Sequence, residues 1–107
     1  GAVMFKTQPN PTFWASVEIP VAGGEPMPLE IEFRHKRKSE AVEFGTRMRS
    51  GEMRDIDALR EVVVGWRGAD VEFSDQALVD FDENHLGAAG AILGAYPGAL
   101  AGARRKN

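Results

Sequence analysis

Residues 55–68 read Asp55-Ile56-Asp57-Ala58-Leu59-Arg60-Glu61-Val62-Val63-Val64-Gly65-Trp66-Arg67-Gly68. Ile56, Leu59, Val62, Val63 and Trp66 recur at intervals of three and four, the spacing that gathers apolar side chains on one face of a helix. Asp57, Arg60, Glu61 and Arg67 fall on the other side. Asp55 suits the N-cap, because its carboxylate can accept from the free amides of the first turn. Gly65 and Gly68 flank Trp66, and either can take the left-handed conformation that ends a helix. This stretch therefore predicts an amphipathic helix ending in a buried Trp66. Losing a buried side chain of that size costs about 3–5 kcal/mol, against about 5–15 kcal/mol for a whole domain. The segment anchors a core and by itself indicates no chemistry.

Upstream, residues 12–19 alternate. Phe13, Ala15, Val17 and Ile19 face one way, and Thr12, Trp14, Ser16 and Glu18 the other, as in a half-buried strand. Pro9, Pro11 and Pro20 mark its ends. After the Gly- and Pro-containing stretch from Val21 to Pro28, Leu29, Ile31, Phe33 and His35 alternate with Glu30, Glu32 and Arg34. Two such runs predict an antiparallel hairpin, and its apolar face requires a cover, since an isolated hairpin is marginal in water. Arg34 to Lys38 is a basic cluster. Ser39 is placed to cap a helix over 40–50 that carries Ala41, Phe44 and Met48 inward and stops at Gly51.

Downstream, residues 69–84 hold Asp70, Glu72, Asp75, Asp80, Asp82 and Glu83 and no basic residue. Ser74 is the cap of a third helix, with Phe73 stapling onto Leu78. From Leu86 to Ala103 no residue is charged. Ala88, Ala89, Ile92, Leu93, Tyr96 and Leu100 form an apolar stripe, while Gly90, Gly94, Gly98 and Gly102 form a strip where a second helix backbone could approach. Pro97 removes one helical hydrogen bond and is expected to kink or break this helix. Arg104, Arg105 and Lys106 complement its negative end. The expected fold is α+β: an N-terminal antiparallel β-hairpin followed by about four α-helices in a single domain.

The chain has 107 residues, 43% of them hydrophobic and 27% charged, with a net charge of -3 and no cysteine. That length supports one domain burying about 60–70% of its unfolded surface. The lack of cysteine removes disulfides, thiol catalysis and thiolate-bound metal. Gly1-Ala2-Val3 read as cloning-derived residues ahead of a native start at Met4, which places the domain at 4–107. Lys6 and Thr7-Gln8-Pro9-Asn10 interrupt any apolar N-terminal run, so no signal peptide is expected.

No catalytic set can be assembled. His35 and His85 sit in no nucleophile or metalloprotease motif. Asp80, Asp82, Glu83 and His85 are metal-ligand types, but on a helix only 82 and 85 share a face. The glycines of 87–94 have the wrong spacing for dinucleotide binding. The expectation is therefore no enzyme, no cofactor and no metal. The uncharged C-terminal run is long enough to span a bilayer, but five glycines and Pro97 dilute its hydropathy, so no membrane span is expected. The Arg34–Lys38 cluster admits nucleic-acid binding, although a solvated strand end leading into a helix and facing the acidic 70–83 segment is the favoured reading.

The order of features resembles a known family. Met4-Phe5-Lys6, Pro9-Asn10-Pro11-Thr12-Phe13, Val17-Glu18-Ile19-Pro20 and Gly23-Gly24 open the match. Glu32-Phe33-Arg34-His35, Val64-Gly65-Trp66 and Glu72-Phe73-Ser74 continue it. Gly87-Ala88-Ala89, Ile92, Ala95-Tyr96 and Gly102-Ala103-Arg104 close it. Together they are similar to the tail assembly chaperones of long-tailed bacteriophages and prophages. The resemblance implies a non-catalytic protein of the host cytoplasm, absent from the mature virion. Its partner would be the tape-measure protein, a long helical chain kept soluble until the tail-tube protein polymerises around it. The tail-tube protein and a second copy of the chain are further candidate partners. The alternatives are a self-assembling structural tail component and a nucleic-acid-binding protein. The residues expected to meet the partner are Ile92, Leu93, Tyr96 and Leu100 on the last helix, with Trp14 on the outer hairpin face.

Overall fold

The computed structural model describes residues 3–102. Gly1 and Ala2 lie outside the described residues, as do Ala103, Arg104, Arg105 and Lys106 with the helix-end role expected of that basic tail. The elements run β1 (Thr12–Ile19), β2 (Met27–Arg34), α1 (Lys38–Ser50), α2 (Asp55–Val62), β3 (Val63–Arg67), α3 (Asp75–Asn84) and α4 (Ala88–Leu100). The α+β class, the hairpin and the four helices agree with the sequence. The third strand was not foreseen.

β2 lies at the centre of an antiparallel sheet in the order β1-β2-β3. Phe13 stands opposite Phe33, Ala15 opposite Ile31 and Val17 opposite Leu29, so the alternation places the large apolar residues of the hairpin on one face, with Trp14 the exception on the other. Helices cover that face. Ala58, Leu59 and Val62 from α2, Leu78 from α3 and Ala88, Ala89, Ile92, Leu93 and Tyr96 from α4 join Ile31 and Phe33 in one core.

The segment 55–68 departs from its expected form. The helix ends at Val62, and Val63 is already extended, with φ −102° and ψ 122°. Trp66 lies on β3 opposite Ile31, and Val63 lies opposite Phe33. Both still point into the core, because a strand facing the sheet interior and a helix face can bury the same residues. The missed signal is Val62-Val63-Val64: three β-branched residues restrict χ1 in a helix and pack well on a pleated surface. Val64 is the extra residue of a bulge between the Glu32–Gly65 and Phe33–Val63 pairs. Gly65 is not a helix cap. A Cβ there would lie 2.8 Å from Glu32 Oε1, so glycine makes room for the Glu32 side chain, which accepts a 2.8 Å hydrogen bond from the Thr12 hydroxyl.

Helix ends follow local chemistry with two corrections. The N-cap of α1 is Arg37 rather than Ser39, and the Glu40 carboxylate accepts from the Arg37 amide at 2.7 Å. The N-cap of α2 is Arg54, which leaves Asp55 in the first turn near the positive helix end. Gly51 (φ 78°) closes α1, and the Ser74 hydroxyl accepts from the Ala77 amide at 3.0 Å at the start of α3. Phe73 packs edge-on against Trp66, with ring centroids 5.2 Å apart.

α4 begins at Ala88, leaving Leu86 fully exposed in the connection before it. Pro97 does not break the helix. It is exposed and only three helical residues follow it, so a single hydrogen bond is lost near a free end. The glycine strip is also corrected: Gly90, Gly94 and Gly98 are exposed, and nothing lies within 4 Å of a Cβ built at Gly90 or Gly94. The small residues that let α4 lie along β1 are Ala91, Ala95 and Ala99.

Two polar ties fasten the helices to the sheet. The Tyr96 hydroxyl donates to the Arg34 carbonyl at 2.6 Å, and its ring packs on Phe33 (5.1 Å) and Phe44 (6.0 Å). Burial pushes the phenol up to about 12. Glu61, on α2, accepts both Arg47 terminal nitrogens at 2.8 Å and Lys36 Nζ at 2.7 Å, while its carbonyl accepts from Arg34 Nε at 3.0 Å. Two residues of the basic cluster are thus engaged within the fold, facing Glu61 rather than the acidic 70–83 segment.

Tyr96→Phe keeps the packing and orphans the Arg34 carbonyl, so chemical denaturation should show a loss of about 1–3 kcal/mol. Tyr96→Ala should lose about 3–5 kcal/mol. Arg47, followed by Lys36, lowers the Glu61 carboxyl from 4.5 to about 2. Its contribution is therefore complete above the unfolded value and is lost as pH falls from about 5 to 2. Solvent screening at this partly exposed triad limits the effect to about 1–2 kcal/mol. Glu61→Gln should remove it and flatten the acid limb of the stability profile.

Candidate functional site

The helices do not cover the whole sheet. Beyond α2 and α4, the end of the hairpin nearest its turn leaves an open groove of about 870 Å³. Ile19, Met27 and Leu29 line it from the hairpin, Trp66 from β3, and Ala77 and Phe81 from α3. Gly68, at φ 89°, turns the chain after β3, a conformation that disfavours any residue with a Cβ. The following loop passes over Trp66, whose indole N–H donates to the Val71 carbonyl at 3.0 Å. That bond leaves the Val71 side chain outward and 53% exposed, while Met27 is 63% exposed. Trp66 meets Phe81 edge-on at 5.4 Å, and Phe81 lies against His85 at 5.4 Å. The floor is therefore a rigid aromatic cluster with two accessible aliphatic side chains beside it.

The rim is acidic. Asp70, Glu72 and Asp80 line the groove, and no Lys or Arg does. Asp80 accepts from the Gln76 amide at 3.0 Å. Among the described residues, no cation lies within ion-pair distance of Asp70, Glu72 or Asp80. Asp75 is spent elsewhere, receiving two hydrogen bonds from Arg60 at 2.8 and 3.1 Å. Outside the groove lining, partial burial and then the charges of Asp55 and Glu83 push the Asp82 carboxyl upward. No three His, Asp or Glu side chains converge as a metal set among the described residues. No helix among them is long and apolar enough to cross a membrane.

The partner-facing residues expected from sequence do not form one surface. Ile92, Leu93 and Tyr96 are buried in the core, so as a partner surface they are corrected: the sheet already occupies the stripe they form. Leu100 is partly buried at the end of α4. Trp14 is 41% exposed on the outer sheet face, with the Arg67 guanidinium 4.2 Å above its ring. A second, shallower groove of about 680 Å³ runs between β1 and the alanines of α4, with Trp14 on its border. Sequence reasoning missed Met27 and Val71. Met27 opens β2 but falls in the Gly- and Pro-containing stretch that the sequence reads as a loop, Val71 sits in an acidic connection without periodicity, and the fold brings them to one groove. Acrylamide quenching separates the two tryptophans: Trp14→Phe should leave a weakly quenched Trp66, and Trp66→Phe, where folded, a strongly quenched Trp14.

A model of the phage tail assembly chaperone family matches residues 2–107. No curated protein and no solved structure matches the chain significantly. The family match runs through the hairpin, the α2–β3 segment and the last helix alike, which are the elements that carried the resemblance. The chain belongs to the phage tail assembly chaperone family.

Proposed function

We propose that this chain binds the tape-measure protein of its phage and keeps that long helical chain soluble until the tail-tube protein polymerises around it. The role is non-catalytic, is performed in the host cytoplasm and ends before the virion is complete. Membership of the chaperone family supports it. The structural observation that carries it is the open groove, where Met27 and Val71 remain accessible above an aromatic floor. Exposed apolar surface beside charge marks a protein-interaction site on a folded domain. A holding chaperone needs both properties at once: apolar side chains to cover its client and a charged rim to keep the complex dissolved.

Co-expression with the tape-measure protein encoded by the same phage is the direct test. The expected outcome is a soluble complex that co-purifies, together with a tape-measure protein that precipitates when expressed alone. The chaperone should be missing from purified virions by mass spectrometry. Failure to form the complex, or stoichiometric presence in virions, would overturn the proposal.

A further inference from the structure

We infer that the groove between the hairpin end and α3 is the docking site for an amphipathic helix whose apolar face is flanked by lysine or arginine. The inference rests on the chaperone reading for the identity of the client, but its chemistry follows from the groove itself.

The groove opens on side chains of the inner sheet face, with β1 and β3 as the outer strands of the sheet. The hairpin residues that line it are already paired: Ile19 stands opposite Met27, and Leu29 opposite Val17. Trp66 stands opposite Ile31, and the Val71 carbonyl is taken by the indole. What the groove offers is apolar side chains rather than backbone groups, so the partner that fits it presents side chains from a backbone whose hydrogen bonds are satisfied internally, as a helix does. The volume, about 870 Å³, lies within the roughly 300–1,000 Å³ of sites that enclose ligand groups and has room for several apolar side chains from successive turns. Met27 and Val71 would contact these from one side, and Ala77 and Phe81 from the other.

Charge selects the partner. Asp70, Glu72 and Asp80 are carboxylates without a cation among the described residues, at the border of an apolar surface. An acidic helix would meet like charge there. A basic one would gain faster encounter and a fixed register. Because these charges are at the surface, their contribution falls with salt.

The test uses the full chain and two synthetic helical peptides of about five turns. Both carry the same leucine face, one flanked by lysines and the other by glutamates. Amide shift mapping should place the lysine peptide against residues 27–29, 68–72 and 76–85, and the glutamate peptide should bind at least about tenfold more weakly. Val71→Asp, at an exposed position, should weaken the lysine peptide by about tenfold or more with an unchanged far-ultraviolet spectrum. The triple variant Asp70→Asn, Glu72→Gln, Asp80→Asn should abolish most of the salt dependence. Trp14→Ser, on the opposite sheet face, should change nothing.

Equal affinity for both peptides, shifts centred on Trp14, no binding at all, or an indifferent Val71→Asp would overturn the inference. So would a concentration-dependent dimer that Val71→Asp abolishes, because the occupant would then be a second copy. Co-expression separates this inference from the functional one. If wild type and Val71→Asp solubilise the tape-measure protein equally, the chaperone function stands and the groove assignment falls. If neither does so while the lysine peptide still maps to the groove, the docking site stands and the client is a different protein.

Discussion

The inner face of β2 is the surface on which the rest of the chain is stacked. Leu29, Ile31 and Phe33 are buried on it, Ile31 and Phe33 completely, and a strand pairs on each side. An isolated hairpin is marginal in water, and a third strand and packed helices on its apolar face supply what it lacks. Each helix contributes to the cover, and Tyr96 joins both kinds of interaction. Its ring fills the space between Phe33 and Phe44, and its hydroxyl satisfies the Arg34 carbonyl at the strand end. Buried polar groups are tolerated only when paired. The hydroxyl therefore defines where α4 can sit along the sheet, as well as adding a hydrogen bond.

The same economy of cover explains the groove. β2 and β1 extend past the helices towards their turn, and α3 is set beside rather than across that end. Trp66 is the hinge of this arrangement. Its bulk is held at 8% exposure by Phe73, Phe81 and the loop bonded to its indole, yet Met27 and Val71 next to it are left to solvent. An apolar surface left open at one end of the core is what the proposed holding of another chain requires. It also accounts for the acidic rim, since uncharged borders around exposed aliphatic residues would favour self-association.

Much of the fold was legible. Period-two alternation gave both hairpin strands and their inner faces. Gly51 and Ser74 announced the end of α1 and the start of α3, because each supplies a terminus with chemistry that few other residues can. The segment 55–68 was half legible. Its apolar residues were assigned to the core correctly, but the pattern Ile56, Leu59, Val62, Val63, Trp66 fits a helix throughout and conceals the change at Val63. The glycines of α4 were misleading for a related reason: spacing places them on one strip but cannot say whether that strip meets protein or water. The binding surface was least legible. Ile92, Leu93 and Tyr96 have the composition of an interface and the position of a core, and the two are identical in sequence.

By itself the sequence determined the family, the apolar faces of the hairpin and of the helices, and the helix ends at Gly51 and Ser74, because these depend on residue type and on spacing within one element. The tertiary structure alone decided that Val63–Arg67 is a strand. Its backbone groups find partners along β2, and a bulge at Val64 together with the absent side chain at Gly65 lets that pairing form over Glu32. It also decided that Met27 and Val71 stay accessible beside the groove while Ile92, Leu93 and Tyr96 of α4 are buried. Exposure is a property of what remains after every face has found its cover, and no single stretch of chain contains that information.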